Sequence, residues 1–254
     1  MINSREAFFS LVGGSVQHTS DSMTLYLGID DTDTRESRGT GRLARAIAAE
    51  LARSYTVTGV TRHQLFVHPD VPYTSHNSSA VIHIQDTGNG IAADVFAAAK
   101  ELMLADFIEG SDPGVCVATD RNINGTLSRF GLSAKSSIVT QEQARSLAHQ
   151  AGIRLEGLGG TEDGVIGALA GIGLAASGND GRFVQKGTTR DLRGSQTVAA
   201  ILASGVDRVQ TRDGAAVGNG TVALRKFPKP AFIGGKAVLF VEADGDAYRD
   251  IVMG

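Results

Sequence analysis

The feature that most constrains the fold is an apolar run that ends in carboxylates and is followed by a helical repeat. Residues 25–29 are typical of a buried strand, and Asp30, Asp31 and Asp33 follow them directly. Leucine, isoleucine and alanine then recur every three or four residues, which predicts an amphipathic helix over residues 41–53. A strand, an acidic loop and a helix in succession are typical of proteins that mix α and β structure.

Segments of both kinds continue along the chain, so we predict a mixed α/β (α+β) fold. Thr140 and Gln143 form a capping box at the start of a further helix, which Gly152 ends. Residues 121–137 are polar and have no sustained period, which favours a linker between two domains. Other helices are predicted at residues 92–107, 164–176 and 197–203, and other strands at 64–68, 80–84, 115–118, 153–158, 206–211, 221–225 and 236–242.

Composition and charge narrow the classes of function. With 42% hydrophobic residues the chain can bury a sizeable core, and its formal net charge of −3 gives no general attraction to nucleic acid or to an anionic membrane. Cys116 is the only cysteine, which excludes an internal disulfide and a thiolate-rich zinc site and favours a buried thiol in a cytoplasmic protein. The longest apolar helix candidate falls short of the ~20 residues of a membrane span, so no membrane partner is expected.

The three carboxylates after the first strand repel one another and need a reason to lie so close together. Hard oxygen ligands suit magnesium, which commonly uses one or two carboxylates and completes its shell with water and phosphate oxygens. We therefore predict that Asp30, Asp31 and Asp33 bind Mg²⁺. The alternative is an acidic turn in which an Asp or a Thr caps the following helix.

The segment that leads into this helix contains Gly39, Thr40, Gly41 and Arg42. It offers free backbone N–H groups at the positive end of the helix, where a phosphate would bind, and Arg42 could add a charge-assisted contact. The segment lacks the lysine and the spacing of a P-loop, so a turn with a helix cap is the alternative. Beside three carboxylates, we favour a phosphate loop.

A second glycine loop joins a predicted strand to a predicted helix further along the chain. Gly159, Gly160 and Thr161 are predicted to bind the nucleotide cofactor, with Thr161 also capping the helix. Asp163 is a candidate catalytic residue, because it could orient a water molecule or accept a proton from an acceptor. The alternative is that Glu162 and Asp163 only complement the helix dipole. Glycines within the helix lower its propensity, which indicates that something approaches it closely.

Arg182, Lys186, Arg190 and Arg193 form a basic series in the second half of the chain. As a phosphate clamp, this series is the best local candidate for contact with an anionic partner. The alternative is a solvated loop face. The histidines show no tight metal-ligand spacing, so we assign them structural or surface roles.

Three motifs occur in the order in which one enzyme family carries them. Residues 28–33, residues 71–74 with Asn77 and Ala80, and residues 159–170 together resemble the tRNA(Ile)-2-agmatinylcytidine synthetase family. Enzymes of that family use ATP to activate the wobble cytidine of an isoleucine tRNA and join agmatine to it. The resemblance therefore implies ATP as the cofactor.

The resemblance covers about residues 25–176, and it implies a kinase-like domain that uses the aspartates, followed by a ferredoxin-like domain. The expected organisation is an N-terminal extension at residues 1–22, a kinase-like metal- and nucleotide-binding domain at 23–126 and a ferredoxin-like domain at 127–254. Because the chain has one cysteine, the family's zinc ribbon is not expected in it. The loop after the aspartates also differs from the family's shorter segment, which leaves the acceptor open.

Together these observations predict an ATP- and Mg²⁺-dependent, kinase-like phosphoryl-transfer protein whose acceptor, a small molecule or RNA, is unidentified. Asp31 and Asp163 are the candidate catalytic residues. The alternative is a noncatalytic nucleotide-binding sensor module that uses the same loop. A haloacid-dehalogenase-type phosphatase also ends a strand in Asp-x-Asp, but its register would put Arg35 where that class has a threonine.

Overall fold

The predicted strand before the acidic loop is β1, Met23–Asp30, and it pairs with a strand on each side. The computed structural model describes residues 23–34, 39–71 and 76–252. The predicted extension at 1–22, residues 35–38 of the loop after the aspartates and residues 72–74 of the family motifs lie outside the described residues. The mixed α/β class predicted from the sequence is confirmed.

The first part of the chain alternates strands and helices. After β1 come α1 (Thr40–Leu51), β2 (Val57–Gln64), β3 (Ser78–Asp86), α2 (Ala92–Ala105), β4 (Gly114–Thr119), α3 (Gly125–Ser133), α4 (Gln141–Gln150), β5 (Arg154–Gly157) and α5 (Gly164–Ala176). The strands lie in the order β5-β4-β1-β3-β2, and each neighbouring pair is antiparallel. The C-terminal ends of β1 and β2 therefore lie at the same edge of the sheet.

The second part of the chain is mainly β structure and continues the same sheet. It contains β6 (Arg182–Gln185), a 3₁₀ turn (Thr189–Asp191), β7 (Gly194–Thr197), α6 (Val198–Ala203), β8 (Arg208–Thr211), β9 (Thr221–Leu224), β10 (Ala231–Ile233), β11 (Lys236–Asp244) and β12 (Ala247–Ile251). β6 pairs with β2, and the sheet continues through β10, β11, β12, β9 and β7, while β8 pairs with β11. No helix in the described part of the chain is long and apolar enough to cross a membrane.

The ferredoxin-like succession lies in the first part of the chain. β1, α1, β2, β3, α2 and β4 follow one another as a βαββαβ unit, with the sheet order β4-β1-β3-β2. This unit occupies residues 23–119. The resemblance had implied a ferredoxin-like domain at 127–254, and that domain assignment stays a prediction. The boundary at residue 126 stays a prediction, and across it β5 pairs with β4 and α5 packs on β1.

β1 is buried on both faces, as its continuous apolar run predicts. Leu25, Leu27 and Ile29 pack in one core with residues of α1 and α2. Tyr26 belongs to a second core on the opposite face, with residues of α3, α4 and α5. Cys116 of β4 lies in this second core as a free, buried thiol, which agrees with its predicted role.

α5 packs with its backbone directly against the strands. A Cβ atom on Gly28 of β1 would lie 2.3 Å from the carbonyl oxygen of Ala168, and one on Gly114 of β4 would lie 2.1 Å from the carbonyl carbon of Gly164. Both distances are too short for a real Cβ atom, so these strand positions require glycine. The helix glycines predicted a close approach, and the group that approaches α5 is the sheet itself.

Two local predictions were wrong. Residues 64–68 do not form a strand, because β2 lies earlier and ends where this segment begins. The predicted linker at 121–137 contains α3, whose N-cap Asn124 accepts hydrogen bonds from two backbone N–H groups. The capping box of Thr140 and Gln143 is confirmed at the start of α4.

A buried polar network links β2, β3 and the turn after α5. The hydroxyl oxygen of Thr61 lies 2.8 Å from the Nε2 atoms of both His63 and His83. Nδ1 of His63 lies 3.0 Å from Oδ1 of Asp180, which also pairs with Lys135. Burial lowers the pKa of His83 to about 3, so the folded protein holds this ring neutral at neutral pH.

We expect Gly28→Ala to destabilise the fold, because the added Cβ would meet the backbone of α5, which can yield only by moving the helix. The expected loss in the free energy of unfolding, measured by urea titration, is roughly 1–3 kcal/mol. Gly125→Ala at the start of α3 is the matched control, because its Cβ would meet only the Arg129 side chain, at 3.5 Å. Equal stability of the two variants would contradict the backbone contact.

We expect the stability that depends on His83 to be lost as pH falls. The pKa of His83 is about 3 in the folded state and 6.5 in the unfolded state. Between pH 3 and pH 6.5 the unfolded state therefore binds a proton that the folded state does not bind. Stability should therefore fall by up to about 1.4 kcal/mol per pH unit on this account as pH drops below 6.5. His83→Gln should reduce the slope by up to one proton, whereas His149→Gln at an exposed position should not; unchanged slopes in both would refute the assignment.

Candidate functional site

A cleft of about 670 Å³ opens where β1 ends and α1, α5 and β6 begin. Its lining includes three kinds of side chain, which we call the acidic, basic and apolar groups. The acidic group is Asp30, Asp31, Asp33, Asp70 and Asp163; the basic group is Arg42, Arg45, Arg62, Arg182, Arg190 and Lys229; the apolar group includes Leu65, Phe66, Val71, Ala134, Ile138 and Val139.

The cleft brings together both acidic stretches that the sequence singled out, together with the start of α1. The predicted site residues that line it are Asp30, Asp31, Asp33, Gly39, Thr40, Gly41, Arg42 and Asp163. Gly159, Gly160 and Thr161 are not among its lining residues. The strand order explains the meeting, because α5 begins beside the strand that carries the first aspartates.

Asp33 stabilises the start of α1. Its Oδ1 accepts a hydrogen bond from the hydroxyl of Thr40 at 2.8 Å and a long one from the backbone N–H of Thr40 at 3.4 Å. The N-cap itself, Gly39, has no side chain with which to do this. The capping alternative for the acidic turn therefore describes Asp33, whose carboxylate oxygen is directed at the helix.

Asp31 has an unusual backbone and a perturbed carboxyl group. Its φ is 51°, in the left-handed region that non-glycine residues rarely adopt. Burial raises the pKa of Asp31 to about 6, and the negative charges of Asp112 and other nearby carboxylates act in the same direction. Strained backbone of this kind concentrates at functional sites, where the surrounding fold holds it in place.

Asp30 lies against the first turns of α5. A Cβ on Gly167 would lie 1.6 Å from Oδ2 of Asp30, so the absence of a side chain at Gly167 makes room for this carboxyl group. Burial raises the pKa of Asp30 to about 8, and the charge of Asp31 adds to the shift. Two adjacent carboxyl groups that resist ionisation are the arrangement that a bound cation would relieve.

The three aspartates do not converge on a single point. Among the described residues, no three His, Cys, Asp or Glu side chains are arranged so that they could hold a metal ion. Asp33 is directed at α1, which leaves Asp30 and Asp31 as the adjacent pair whose pKa values are raised. This donor set fits a magnesium ion held by one or two carboxylates and completed by water and phosphate, but not a cage made by the protein alone.

Asp163 is held by a neighbouring helix. Its Oδ1 accepts a hydrogen bond of 2.7 Å from Nε2 of Gln141, the first residue of α4. Asp163 occupies the N-cap of α5 but makes no side-chain cap hydrogen bond, so the prediction that Thr161 caps this helix was wrong. The N–H of Thr161 instead donates to the carboxylate of Asp112, and so the amide expected to hold phosphate is already occupied.

The loop between β5 and α5 makes close contacts with the loop before β4 and with α4. Gly160 has a φ of 60°, and a Cβ there would lie 2.1 Å from Asp112 Oδ1. Glu162 also has a positive φ, of 64°, and pairs with Arg145 of α4 at 2.5 Å. These contacts give Gly160 and Glu162 structural roles at the rim of the site.

Sequence reasoning missed part of the basic group. Arg182 and Arg190 of the predicted basic series line the cleft, whereas Lys186 faces a separate cavity of about 240 Å³. Arg45 and Arg62 lie on an amphipathic helix and on a strand, where an arginine normally marks a solvent face. Arg62 is brought beside Arg182 by the pairing of β2 with β6, which no local pattern shows.

The apolar group also escaped prediction, and one of its members, Ala134, lies in the segment that was predicted to be a linker. Ala134 ends α3, and Ile138 and Val139 follow it. Other members of the apolar group come from the chain after β2, where Phe66 stacks on His68 with ring centroids 5.3 Å apart. Apolar and aromatic surface beside charged groups is typical of sites that bind small organic ligands.

The fold and cleft define a mixed α/β protein with a charged ligand site at one edge of its sheet. No family model matches the chain. A curated relative, tRNA(Ile2) 2-agmatinylcytidine synthetase (TiaS) of Pyrococcus horikoshii, is 30% identical over 158 residues, which are 59% of this chain and 36% of the relative. Over these residues the chain is therefore similar to TiaS, and this is the resemblance that the three motifs predicted.

Solved structures show the same fold. The crystal structure of a tRNA fluorescent labelling enzyme and that of the TiaS–tRNA(Ile2)–ATP complex each match with a TM-score of 0.50, at 23% and 22% identity. Each match covers 59% of this chain and 36% of the solved chain. The chain thus spans about a third of the length of the relatives it matches.

Proposed function

We propose that this protein binds Mg²⁺-ATP in the cleft and transfers a phosphoryl group to an acceptor that remains to be identified. The observation that carries the proposal is the meeting of Asp30, Asp31 and Asp163 with the start of α1 and the basic group in one cleft. Phosphoryl transfer needs little covalent chemistry from a protein and depends on positioning and on charge stabilisation. A cleft with both signs of charge supplies these two things.

The relatives support ATP as the nucleotide. One solved neighbour is a complex of TiaS with tRNA(Ile2) and ATP, and the curated relative is named as a synthetase that modifies a tRNA cytidine. By that relationship we propose an ATP-dependent function connected with RNA for this chain. Because the matched part is about a third of those proteins, the acceptor is a separate question.

Binding in the cleft divides between three sets of residues. Asp30 and Asp31 would hold Mg²⁺, with Asp33 fixing the loop against α1 and remaining a candidate ligand. Bound there, the metal would offset the charge that the phosphate groups carry. Residues 39–41 at the start of α1 would offer backbone N–H groups to a phosphate, and Arg42 would add a charge-assisted contact.

Asp163 is proposed to act on the acceptor. Its hydrogen bond from Gln141 fixes the carboxylate at the rim of α5, facing the same cleft as Asp31. A carboxylate in that position can accept the proton of an attacking hydroxyl or amine as the phosphoryl group is transferred. The apolar group would exclude water from the cleft, which protects the phosphoryl group from hydrolysis.

We expect Mg²⁺-ATP to raise the thermal stability of the protein, and ATP without metal to do so much less. A ligand present at 100 times its dissociation constant contributes roughly 2.7 kcal/mol. Asp31→Asn should remove most of the metal-dependent part, measured by calorimetric titration, because it deletes one of the two proposed carboxylate ligands. Asp246→Asn, an exposed turn residue in the β11–β12 hairpin, makes the same charge change and should have no effect. ATP affinity that does not depend on metal would sink the proposed coordination.

We expect Asp163→Asn to lower metal-dependent ATP turnover by about 100-fold or more, the usual size of a general-base contribution. The variant keeps the hydrogen-bond geometry, so the midpoint of thermal unfolding should change little. Glu162→Gln is the matched control: it neutralises the adjacent carboxylate, which pairs with Arg145 outside the cleft lining. Similar turnover in both variants would reduce Asp163 to a structural residue, and no turnover in the wild type would favour a nucleotide sensor.

A further inference from the structure

The basic group is held in the cleft without carboxylate partners. None of its six side chains takes part in an ion pair with any residue that the structure describes. Arg62 donates from Nε to the hydroxyl of Ser78 at 2.8 Å, and Arg45 donates to the carbonyl of Gly41 at 2.7 Å. Neutral acceptors fix these guanidinium groups in place and leave their charge unbalanced.

Three members of the basic group, Arg182, Arg190 and Lys229, come from the second part of the chain, and two of them lie over one aromatic ring. The guanidinium of Arg190 lies 4.1 Å from the ring centroid of Phe227, and the ammonium of Lys229 lies 5.6 Å from the same centroid. Arg190 is further fixed by a hydrogen bond to the carbonyl of Val184 at 3.1 Å. Arg182, at the start of β6, has a buried Nε with no hydrogen-bond partner among the described residues.

These cations repel one another. Burial lowers the pKa of Lys229, and the charge of Arg182 adds to that shift. Burial likewise lowers the pKa of Arg62, with Arg182 again acting in the same direction. Partly buried like charges that are held together destabilise a fold unless an anion joins them. The arrangement is therefore that of a binding site for a group with more than one negative oxygen.

Arg62 is near enough to the aspartates for the charges of Asp30 and Asp33 to act on it, but Arg182 lies on a strand further from them. Arg62 of β2 and Arg182 of β6 are register neighbours, and β6 is three strands from β1 in the order β1-β3-β2-β6. Three strand spacings amount to about 14 Å, which is longer than a triphosphate chain. A nucleotide whose phosphates lie at Asp31 and the start of α1 would leave the far cations free for another anion.

We propose that Arg182, Arg190 and Lys229 form a second anion subsite, which holds a phosphate group of the acceptor while Mg²⁺-ATP occupies the aspartate end of the cleft. The identification of this phosphate as part of the acceptor rests on the proposed function. The existence of the subsite rests only on the geometry of the cations. It assigns the second substrate to the phosphate esters.

The test measures two affinities in the same variants by calorimetric titration. One is the affinity for Mg²⁺ with a nonhydrolysable ATP analogue, and the other is the affinity for inorganic phosphate and for a short 5′-phosphorylated single-stranded RNA once the nucleotide site is saturated. In the Arg182→Gln/Arg190→Gln variant we expect phosphate-probe affinity to fall at least tenfold and nucleotide affinity to change less than about twofold. Arg208→Gln, an exposed strand residue, should change neither.

Loss of the fold is separated from loss of the site by a second variant. Arg182→Lys/Arg190→Lys keeps both charges and should restore part of the phosphate affinity, with thermal unfolding recorded for every protein. If the RNA binds more tightly than inorganic phosphate and its binding weakens with salt, the phosphate group belongs to a nucleic acid. If the two probes bind with equal affinity, the phosphate group belongs to a small phosphate ester.

Three results decide the matter. Unchanged phosphate affinity in the double glutamine variant overturns the subsite. An equal loss of nucleotide affinity also overturns it, since the cations would then belong to the ATP site. If the wild type binds the phosphate probes through Arg182 and Arg190 but does not bind Mg²⁺-ATP, the subsite is supported and the proposed function fails.

Discussion

The contact between the backbone of α5 and the backbones of β1 and β4 is the constraint on which the rest of the structure depends. Gly28 and Gly114 remove the side chains that would hold the helix away from the sheet. The N-terminus of α5 consequently lies at the end of β1, where the chain turns into the acidic loop. Asp163 and Asp30 share a cleft for this reason, although they are far apart in sequence. The position of the site therefore follows from a contact between backbones.

At the same edge of the sheet, the acidic and the basic side chains come from different strands. β1 delivers carboxyl groups whose pKa values are raised by burial and by one another, while β2, β6 and the loop before β10 deliver cations whose pKa values are lowered by burial. Among the described residues the two sets form no ion pair with each other, although the charges of Asp30 and Asp33 act on Arg62. Each is instead left to a ligand of opposite charge, and a metal–phosphate complex carries both signs. Holding like charges together in each set lowers the stability of the fold, as is common at functional sites.

The sequence predicted the elements that have strong local signals. It did not predict the features that depend on the pairing of strands. The buried run before Asp30 and the capping box at Thr140 were identified because their patterns are complete within a few residues. α3 was missed because glycines and polar residues interrupt its stripe, and Asn124 alone does not reveal a helix. In the site, the aspartates were visible as a cluster. Arg62 was not, since only the register between β2 and β6 carries it into the cleft.

The composition of α5 also has a consequence for the order in which the protein folds. Its interior glycines, Gly167, Gly171 and Gly173, each cost about 1 kcal/mol of helix propensity relative to alanine, and they allow the contacts that repay this cost only once the strands are in place. An isolated segment of this composition would not hold a helix in water. α5 should therefore become helical by docking, as a late step that closes the second core. During synthesis the cleft can form only after the chain well past residue 176 has left the ribosome. Until then the nascent protein has no ligand site.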